Sequence, residues 1–341
     1  MNKLFHTLLA VLAFGHAACA AQPNRPQAEH HLKLRSVAAA DLLFQIRKKD
    51  STFSHSALLP VTAEDVLAAL DAAGVEEAIV ISSAHLFSMP DLNPSAEYNL
   101  VIRENDYVAA QVAVAPERLA GICSVNPLAN FALDEIQRCA QRLGLNGLYL
   151  DFENSDIDLR SSSQISTLAI IFEFLEALQF PVILHTRTRN SNYGSIDIKL
   201  FIDNVLSEAP TLDIQIAHFA GSGSYDDATD RAMAEFIEAF ADGRLEPSNL
   251  QFDLAGVVVM PSADQTKQEQ TRHLNQIEQL ALRLKQLDPQ QVLFATGWKH
   301  NELGSVDTES ININTQNISR LLPLNEEELT ILFQARSRLL D

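Results

Sequence analysis

The sequence predicts a closed barrel of eight parallel strands with helices between them, a (β/α)8 or TIM barrel. Three observations carry this prediction. Short apolar segments alternate with helical patterns along most of the chain, which is typical of strand–helix–strand units. Most of these segments are apolar throughout, as expected when both faces of a sheet are covered. Eight of them fit between residues 29 and 341, which accommodates the ~250 residues that such a barrel needs. An open doubly wound sheet is the alternative.

The elements follow one another in a regular order. The predicted strands are residues 29–34, 78–82, 119–124, 147–150, 181–185, 212–218, 250–254 and 292–295. The predicted helices are residues 63–73, 97–115, 130–143, 164–178, 196–206, 226–241, 268–287, 314–322 and 326–340. Thr62 and Asp65 form a capping box at the start of the first of these helices, and Gly74 ends it. Residues 35–60 have no strong period, so we expect a long loop or short helices there.

The composition excludes some classes of partner. The chain has 341 residues, of which 47% are hydrophobic and 20% charged, as in an ordinary globular protein. Its formal net charge is −19 and its pI about 4.8. Such a surface repels nucleic acid and anionic membranes, and no basic run offsets it. Beyond the N-terminal segment, no stretch is apolar over the ~20 residues that a membrane span needs.

The N-terminus has the pattern of a secretory signal peptide. Lys3 provides a positive charge, residues 4–14 are apolar, and a small-residue cleavage site ends at Ala20. Cleavage there would leave residues 21–28 as an exposed lead-in, followed by a single domain over residues 29–341. We therefore expect a periplasmic or secreted protein.

The cysteines raise two further points. A lipoprotein anchored at Cys19 is the alternative to simple secretion, but His16 fits poorly in the apolar position three residues earlier. Cys123 lies on a predicted strand and Cys139 in the helix after it. A disulfide is permitted in an oxidising compartment, but we expect two separate buried thiols.

Polar side chains collect where the predicted strands end. His31 and Lys33 lie on the first strand and point the same way, because side chains alternate with a period of two. His185 ends the fifth strand, His218 ends the sixth, and Asp151 follows the fourth. The carboxyl ends of parallel strands meet at one rim, where such barrels bind their ligands. The sequence therefore predicts a site that contains these residues.

Imidazoles from three strands suit zinc, manganese or iron, with carboxylates as extra ligands. A bound metal would lower the pKa of a water molecule and make it a nucleophile at neutral pH. Asp253, on the seventh strand, is expected either to orient a ligand histidine or to have a structural role, as an N-cap or in a buried hydrogen bond. His85, after the second strand, is interpreted as a loop residue.

Several motifs, taken together in order and spacing, resemble the amidohydrolase superfamily, in particular its amidohydrolase-related branch of hydrolases and decarboxylases. The motifs are Glu29-His-His-Leu-Lys-Leu34, Glu104-Asn-Asp-Tyr107, Pro116-Glu-Arg-Leu119, Cys123-Ser-Val-Asn-Pro127, Gly147-Leu-Tyr-Leu150, Val182-Ile-Leu-His185, Ile216-Ala-His-Phe-Ala-Gly221 and Leu293-Phe-Ala-Thr-Gly-Trp298. The resemblance covers roughly residues 29–340 and implies the barrel fold.

The resemblance also implies roles. His31 and His185 would hold a divalent metal, zinc in the first instance, and His218 would polarise substrate or water. Two positions depart from the family pattern: Lys33 stands where a second metal-binding histidine is expected, and Gly297 where an aspartate is expected. A protonated lysine has no lone pair for a metal, and glycine offers neither a ligand nor a proton acceptor.

Three hypotheses follow from these departures. In the first, a metal remains, held by His31 and His185, with His218 as a further candidate and Asp151 or Glu153 as the oxygen donor. The protein is then a hydrolase or decarboxylase.

In the second, the Lys33 ammonium replaces the metal near Asp151 and binds an acidic group or an oxyanion. Arg187 would help to hold a substrate carboxylate. Apart from these hypotheses, Trp298 is expected either to line the mouth as a stacking surface or to serve in packing. In the third, the barrel is a binding protein without catalysis. The expected partner is a small molecule in each case, and the resemblance makes a homodimer a reasonable expectation.

Overall fold

The computed structural model describes residues 25–47, 59–87, 94–262, 264–297 and 309–340. The predicted signal peptide and Trp298 lie outside these ranges.

Eight strands form one sheet in which each strand pairs in parallel with the next along the chain. The strands are β1 Ala28–Lys33, β2 Glu77–Ile81, β3 Leu119–Ser124, β4 Gly147–Asp151, β5 Val182–His185, β6 Ile214–Ile216, β7 Leu250–Asp253 and β8 Val292–Leu293. The first and last strands are joined through side chains: the carboxylate of Glu29 accepts the backbone N–H of Thr296, and His30 Nδ1 contacts the carbonyl of Phe294 at 2.7 Å. The predicted (β/α)8 barrel is confirmed.

Helices lie between the strands, and two follow β8. They are α1 Val37–Arg47, α2 Ala63–Ala73, α3 Pro94–Val112, α4 Ala132–Arg138, α5 Ser162–Leu178, α6 Ser195–Asn204, α7 Asp227–Ala241, α8 Lys267–Leu284, α9 Ser310–Leu321 and α10 Glu326–Gln334. Helix α2 has the predicted capping box between Thr62 and Asp65, and Gly74 ends it in the left-handed conformation. Helix α1 lies in the segment for which a loop or short helices were expected.

The largest differences from prediction concern strand lengths at the carboxyl ends. Strand β6 ends at Ile216 rather than at His218, and β8 at Leu293 rather than at residue 295. Residues 218–220 instead form a turn with positive φ, from 52° to 62°. Phe219 and Ala220 are apolar because they are buried, and a turn buries them as well as a strand does.

The barrel interior holds its own apolar cluster, separate from the larger core between the sheet and the helices. This inner cluster contains Ile79, Ile81, Ala120, Ile122, Tyr149, Ile183, Ala217 and Leu339. All but one of these residues belong to the strands or directly follow them. Leu339 comes from the C-terminal end of the chain.

The C-terminal segment, residues 336–340, closes the amino-terminal end of the barrel. Arg336 pairs with Glu77 at the start of β2, at 2.6 Å, and Arg338 pairs with Asp213 just before β6, at 2.9 Å. Leu339 packs beside Gly147, the first residue of β4. The segment therefore forms the floor beneath the inner cluster.

Replacing Leu339 with alanine should destabilise the protein by about 2–5 kcal/mol, because a fully buried leucine would leave a cavity inside the barrel. Leu339 is 2% exposed. Urea unfolding followed by circular dichroism measures the change. Leu340→Ala is the matched control, since Leu340 is only partly buried and should cost less. Equal losses in the two variants would contradict the assignment of Leu339 as the floor residue.

His30 links β1 to β8 and to the C-terminal segment. Its Nδ1–H donates to the carbonyl of Phe294, and its Nε2 accepts the backbone N–H of Ser337 at 3.1 Å. One donor and one acceptor nitrogen describe the neutral imidazole. Burial lowers the pKa of His30 from its ordinary value of 6.5 to about 4.

Acidification should therefore weaken the fold through His30. The unfolded chain binds a proton near pH 6.5 and the folded chain only near pH 4, so stability is complete above 6.5 and is lost as the pH falls toward 4. The shift corresponds to ~3 kcal/mol. Urea unfolding at pH 7.5, 5.5 and 4.5 should show a flatter pH dependence in His30→Gln than in the natural sequence. If the free energy of unfolding falls by the same amount with pH in both proteins, the role of His30 is refuted.

Cys123 and Cys139 form a disulfide between β3 and the π-helical turn Cys139–Leu143 that continues α4. The expectation of two separate thiols was wrong. The two Cα atoms are 6.2 Å apart, within disulfide range, because α4 packs back against the strand that precedes it. Sequence separation alone did not reveal this approach.

Among the residues that the structure describes, no helix combines the length and the apolar character needed to cross a bilayer.

Candidate functional site

The carboxyl ends of the strands bring three imidazoles together. The ring centroids of His31 and His218 are 4.7 Å apart, and those of His185 and His218 are 5.2 Å apart. His31 lies near the end of β1, His185 ends β5, and His218 follows β6 by two residues. The clustering matches the position predicted for these residues. We call His31, His185 and His218 the histidine cluster.

His31 is buried, and its two ring nitrogens differ sharply in their surroundings. Nδ1 lies 3.0 Å from Asp253 Oδ2, whereas buried Nε2 has no hydrogen-bond partner among the described residues. Because a carboxylate only accepts, Nδ1 carries a proton, and in the neutral form of the ring Nε2 presents a lone pair. Asp253 thus has the orienting contact that was one of its two predicted roles.

Asp253 is fully buried and uses both oxygens. Oδ2 accepts from His31 and from Gln215 Nε2 at 2.8 Å, and Oδ1 accepts the backbone N–H groups of His218 at 2.9 Å and Ala255 at 3.1 Å. Burial acts to raise the pKa of Asp253, but His31 and His218 with these hydrogen bonds hold it well below its usual range. The carboxylate therefore remains ionised at neutral pH.

His185 has a similar division between its nitrogens. Nδ1 lies 3.4 Å from Asp151 Oδ2. Nε2 is buried, 3.9 Å from Glu153 Oε2, and makes no hydrogen bond to any residue that the structure describes. Asp151 also accepts from Tyr149 at 3.2 Å and from the backbone of Asn154 at 2.8 Å. Burial opposes ionisation, but His185 foremost holds the pKa of Asp151 well below its usual range.

His218 lies in the left-handed turn. Its Nδ1 lies 2.7 Å from the carbonyl of Ala255 and donates to it, which leaves Nε2 with a lone pair. Burial, then the neighbouring His31 and His185, lowers the pKa of His218 to about 3. Residues 218–220 are three successive non-glycine residues with positive φ. Such a backbone conformation is energetically costly and occurs preferentially at functional sites.

Lys33 is half-buried beside the cluster. Its Nζ lies 3.3 Å from His85 Nε2, 3.4 Å from the Tyr149 hydroxyl and 4.8 Å from the centroid of that ring. Burial lowers the pKa of Lys33, while Asp151 and Asp253 act in the opposite direction. The lysine is therefore hydrogen-bonded to a neutral imidazole and a phenol.

His85 is a residue that sequence reasoning assigned wrongly. It is buried in the short 3-10 helix Ser83–Phe87, and its Nδ1 donates to the carbonyl of Ser82 at 3.1 Å. Burial and the Lys33 charge lower the pKa of His85 to about 3, so Nε2 accepts from Lys33. Its place just after β2, at the same rim, was the available signal.

Glu29 was also not predicted from the sequence to be a residue of the site. It is fully buried on β1 and accepts the backbone N–H groups of His31 at 3.1 Å and Thr296 at 3.0 Å. Burial raises its pKa to about 8. The pairing of β1 with β2 shifts register between Glu29 and Leu32, so a strict period of two along the strand does not locate Glu29.

Arg187, predicted to bind a substrate carboxylate, is already paired. Its guanidinium contacts Asp226 at 3.1 and 3.2 Å and lies 5.1 Å from the centroid of the Tyr193 ring. Asp226 also caps α7 through the backbone N–H of Thr229. The substrate role of Arg187 stays a prediction, as does that of Trp298.

Gly297 has φ +60°, and a Cβ built there would lie 3.0 Å from the Cβ of Ala255. The position favours glycine on backbone grounds. An aspartate at this position would need Ala255 to give way.

The donor chemistry of the cluster fits a divalent metal. His31 and His185 each present a buried Nε2 without a hydrogen bond to the part of the chain described, while a carboxylate contacts the opposite nitrogen of each ring. That is the usual arrangement of metal-binding histidines and their outer-shell carboxylates. The three histidines are not a compact set of ligands, however. Their ring nitrogens, one from each histidine, do not all lie within 4.8 Å of one another.

Among the described residues, one group of potential ligands meets that distance: Cys123, Glu135 and Cys139. The two sulfur atoms are bonded to each other, and Glu135 is paired with Arg138 at 2.7 Å. The donors of this group are therefore engaged already.

The fold and the cluster define a (β/α)8 barrel with a histidine–carboxylate mouth. The chain belongs to the amidohydrolase family, whose profile, Amidohydro_2 (Amidohydrolase), matches residues 63–333. No curated protein matches the chain.

Solved structures share the fold at low sequence identity. A 5-carboxyvanillate decarboxylase from Sphingomonas paucimobilis is 17% identical with a TM-score of 0.59, covering 90% of this chain and 96% of its own. A dihydroxybenzoic acid decarboxylase from Polaromonas sp. JS666, with bound manganese and 2-nitroresorcinol, is 15% identical with a TM-score of 0.59, covering 91% and 95%. A probable 2-pyrone-4,6-dicarboxylic acid hydrolase from Acinetobacter baumannii, with citric acid bound, is 15% identical with a TM-score of 0.54, covering 90% and 99%.

Proposed function

We propose that the protein is an enzyme that uses a divalent metal to decarboxylate or hydrolyse a small, carboxylate-bearing molecule. One observation carries the proposal: within the described part of the chain, the buried Nε2 atoms of His31 and His185 lack hydrogen-bond partners, and each ring has a carboxylate at its other nitrogen. Unpartnered buried polar atoms call for an explanation, and an ion is one. The chemistry of the structural neighbours named above agrees with this reaction class.

His31 and His185 would hold the metal, with Glu153 as the nearest additional oxygen donor to His185 Nε2. The metal would supply Lewis-acid polarisation of a bound oxygen. Zinc and manganese are both compatible with imidazole and carboxylate donors.

The surrounding residues have distinct roles in this proposal. Asp151, ionised and in contact with His185, orients that ring and is the candidate proton acceptor. His218 is neutral, and its Nε2 lone pair can accept a hydrogen bond from a substrate or water bound at the mouth, which would polarise that group. Lys33 supplies the donor that would bind a substrate carboxylate. Binding of that carboxylate would compete with its hydrogen bonds to His85 and Tyr149.

The direct experiment measures metal and turnover together. Full-length protein purified without chelator is analysed for metal content, then supplied with Mn²⁺ or Zn²⁺ and screened against aromatic and aliphatic carboxylic acids. Release of CO₂ identifies a decarboxylase, and uptake of water identifies a hydrolase. Less than one equivalent of metal under every condition would reject the metal site.

A second function, a binding protein without catalysis, is favoured by one observation: Gly297 and Lys33 occupy positions where the family pattern has ligands. Both hypotheses predict binding of small carboxylates. Turnover that disappears in His185→Ala would reject the binding-protein hypothesis. Carboxylate binding without turnover in the metal-loaded protein would support it.

Lys33→Met should raise KM for a carboxylate substrate by ~10–100-fold, because a charge-assisted hydrogen bond of about 1.5–3 kcal/mol is lost. Steady-state kinetics on a substrate found in the screen measures this. Lys199→Met is the control, since Lys199 lies on α6 in an exposed pair with Asp203. If Lys33 instead replaces the metal, its variant loses all turnover. An unchanged KM and kcat would remove Lys33 from the site.

We also propose secretion, with cleavage near Ala20. The signal-peptide pattern supports it, and a disulfide between Cys123 and Cys139 is typical of an oxidising compartment. Mass determination of the protein isolated from the producing cells gives the mature N-terminus and reveals any lipid on Cys19. Light scattering of the purified protein tests the proposed homodimer.

A further inference from the structure

Gln215 lies in the middle of β6 and is fully buried inside the barrel wall. Its Nε2 donates to Asp253 Oδ2 at 2.8 Å and to the carbonyl of His30 at 3.0 Å. Its Oε1 accepts from the hydroxyl of Ser337 at 3.1 Å. Both amide protons are in use, and a flipped amide would direct its oxygen at two acceptors. The orientation of the Gln215 amide is therefore determined.

This contact constrains Asp253. The terminal torsion of an aspartate is soft, so its carboxylate plane is set by its partners. Gln215 and His31 share one oxygen, and two backbone N–H groups hold the other. Removing Gln215 would free Oδ2 to shift toward or away from His31 Nδ1, and the imidazole would lose its fixed direction.

Ser337 extends the connection to the floor of the barrel. It belongs to the C-terminal segment, residues 336–340, and its backbone N–H also donates to His30 Nε2. A hydrogen-bonded path thus runs from Ser337 through Gln215 and Asp253 to His31. It joins the C-terminal end of the chain to the mouth on the opposite side of the barrel.

We infer that Gln215 is a positioning residue for the histidine cluster and that Ser337 holds Gln215 in place. Gln215 acts through Asp253, which fixes the proton of His31 on Nδ1 and leaves Nε2 directed at the ligand. The effect of Gln215 on metal binding rests on the proposed function. Its effect on the orientation of the His31 imidazole is independent of the proposed function.

Gln251 provides a matched control on the neighbouring strand. It is the register partner of Gln215 on β7 and is also buried. Its Nε2 donates to the carbonyls of Gln290 and Arg336, and its Oε1 accepts the backbone N–H of Arg338. Gln251 therefore holds the same C-terminal segment, but its hydrogen bonds go to backbone groups rather than to Asp253.

The test compares full-length Gln215→Met, Gln251→Met and Ser337→Ala with the natural sequence. Titration calorimetry with Mn²⁺ and with Zn²⁺ should show that Gln215→Met weakens binding ~10–100-fold, as expected for loss of an outer-shell partner. Ser337→Ala should weaken binding less, and Gln251→Met should leave it unchanged. Thermal unfolding shows whether the two methionine variants lose comparable stability.

A second measurement separates this inference from the proposed function. In ¹⁵N-histidine-labelled protein without metal, the His31 Nδ1–H signal should move or broaden in Gln215→Met and stay unchanged in Gln251→Met. If the natural protein binds neither metal, the proposed metal chemistry fails and the imidazole signal still decides the role of Gln215. Equal effects of the two methionine variants on this signal, or none in Gln215→Met, would overturn the inference.

Discussion

His185→Ala should abolish metal binding and any turnover that the protein has. His185 contributes an unpartnered Nε2 to the cluster, and alanine leaves no donor in its place. Loss of an outer-shell partner typically weakens metal binding ~10–100-fold, and loss of a direct ligand should exceed that. Metal content after dialysis, titration calorimetry and activity on an identified substrate measure the effect.

The matched control for this variant is His273→Ala. His273 lies on α8, where its Nε2 contacts the carbonyl of Val259, so it tests the loss of an imidazole elsewhere in the protein. That variant should retain metal and activity. Full metal occupancy in His185→Ala would show that His185 Nε2 does not bind the metal. The assignment of His31 as a second ligand of the same metal would then be wrong as well.

Asp253→Ala should destabilise the folded protein by ~3–5 kcal/mol, because removing one partner from a buried charged network leaves the others uncompensated. Four donors would lose their acceptor, from His31, Gln215, His218 and Ala255. The His218 contact also supports the left-handed turn, so the loss should extend to the shape of the mouth. Urea unfolding monitored by circular dichroism gives the free energy of unfolding.

Asp253→Asn separates stability from the orientation of His31. The asparagine oxygen can accept the two backbone N–H groups, which would direct its NH₂ toward His31. His31 would then accept on Nδ1 and carry its proton on Nε2, where no lone pair remains for a metal. We expect a smaller loss of stability than in the alanine variant and a large loss of metal affinity. Unfolding of Asp253→Ala within 1 kcal/mol of the natural protein would contradict the central position given to this carboxylate.

Much of the fold followed from local pattern. Strand β3 was predicted at residues 119–124 and is found at Leu119–Ser124, and α2 begins and ends at its predicted caps. A run of apolar residues reports burial, and a capping box reports a helix start, whatever the rest of the chain does. The ends of β6 and β8 were less predictable, since a buried turn and a buried strand have the same composition.

The site residues were likewise predictable only in part. His31, His185 and His218 could be placed at one rim because the barrel brings the ends of its strands together. Their hydrogen-bond partners could not be predicted. Sequence separation does not reveal that Asp253 contacts His31 across 222 positions, or that His85 turns back onto Lys33. The disulfide between Cys123 and Cys139 depended in the same way on how α4 packs.

The amino-acid sequence was sufficient for the barrel, the family resemblance and the strand-end histidines, because these depend on periodicity and on residue type at a given register. The floor formed by the C-terminal segment, the fixed amide of Gln215 and the ion pair that occupies Arg187 emerged from the folded chain. Hydrogen-bond partners are chosen by proximity and direction. Those are set only when distant segments such as Ser337 and His30, 307 positions apart, pack against each other.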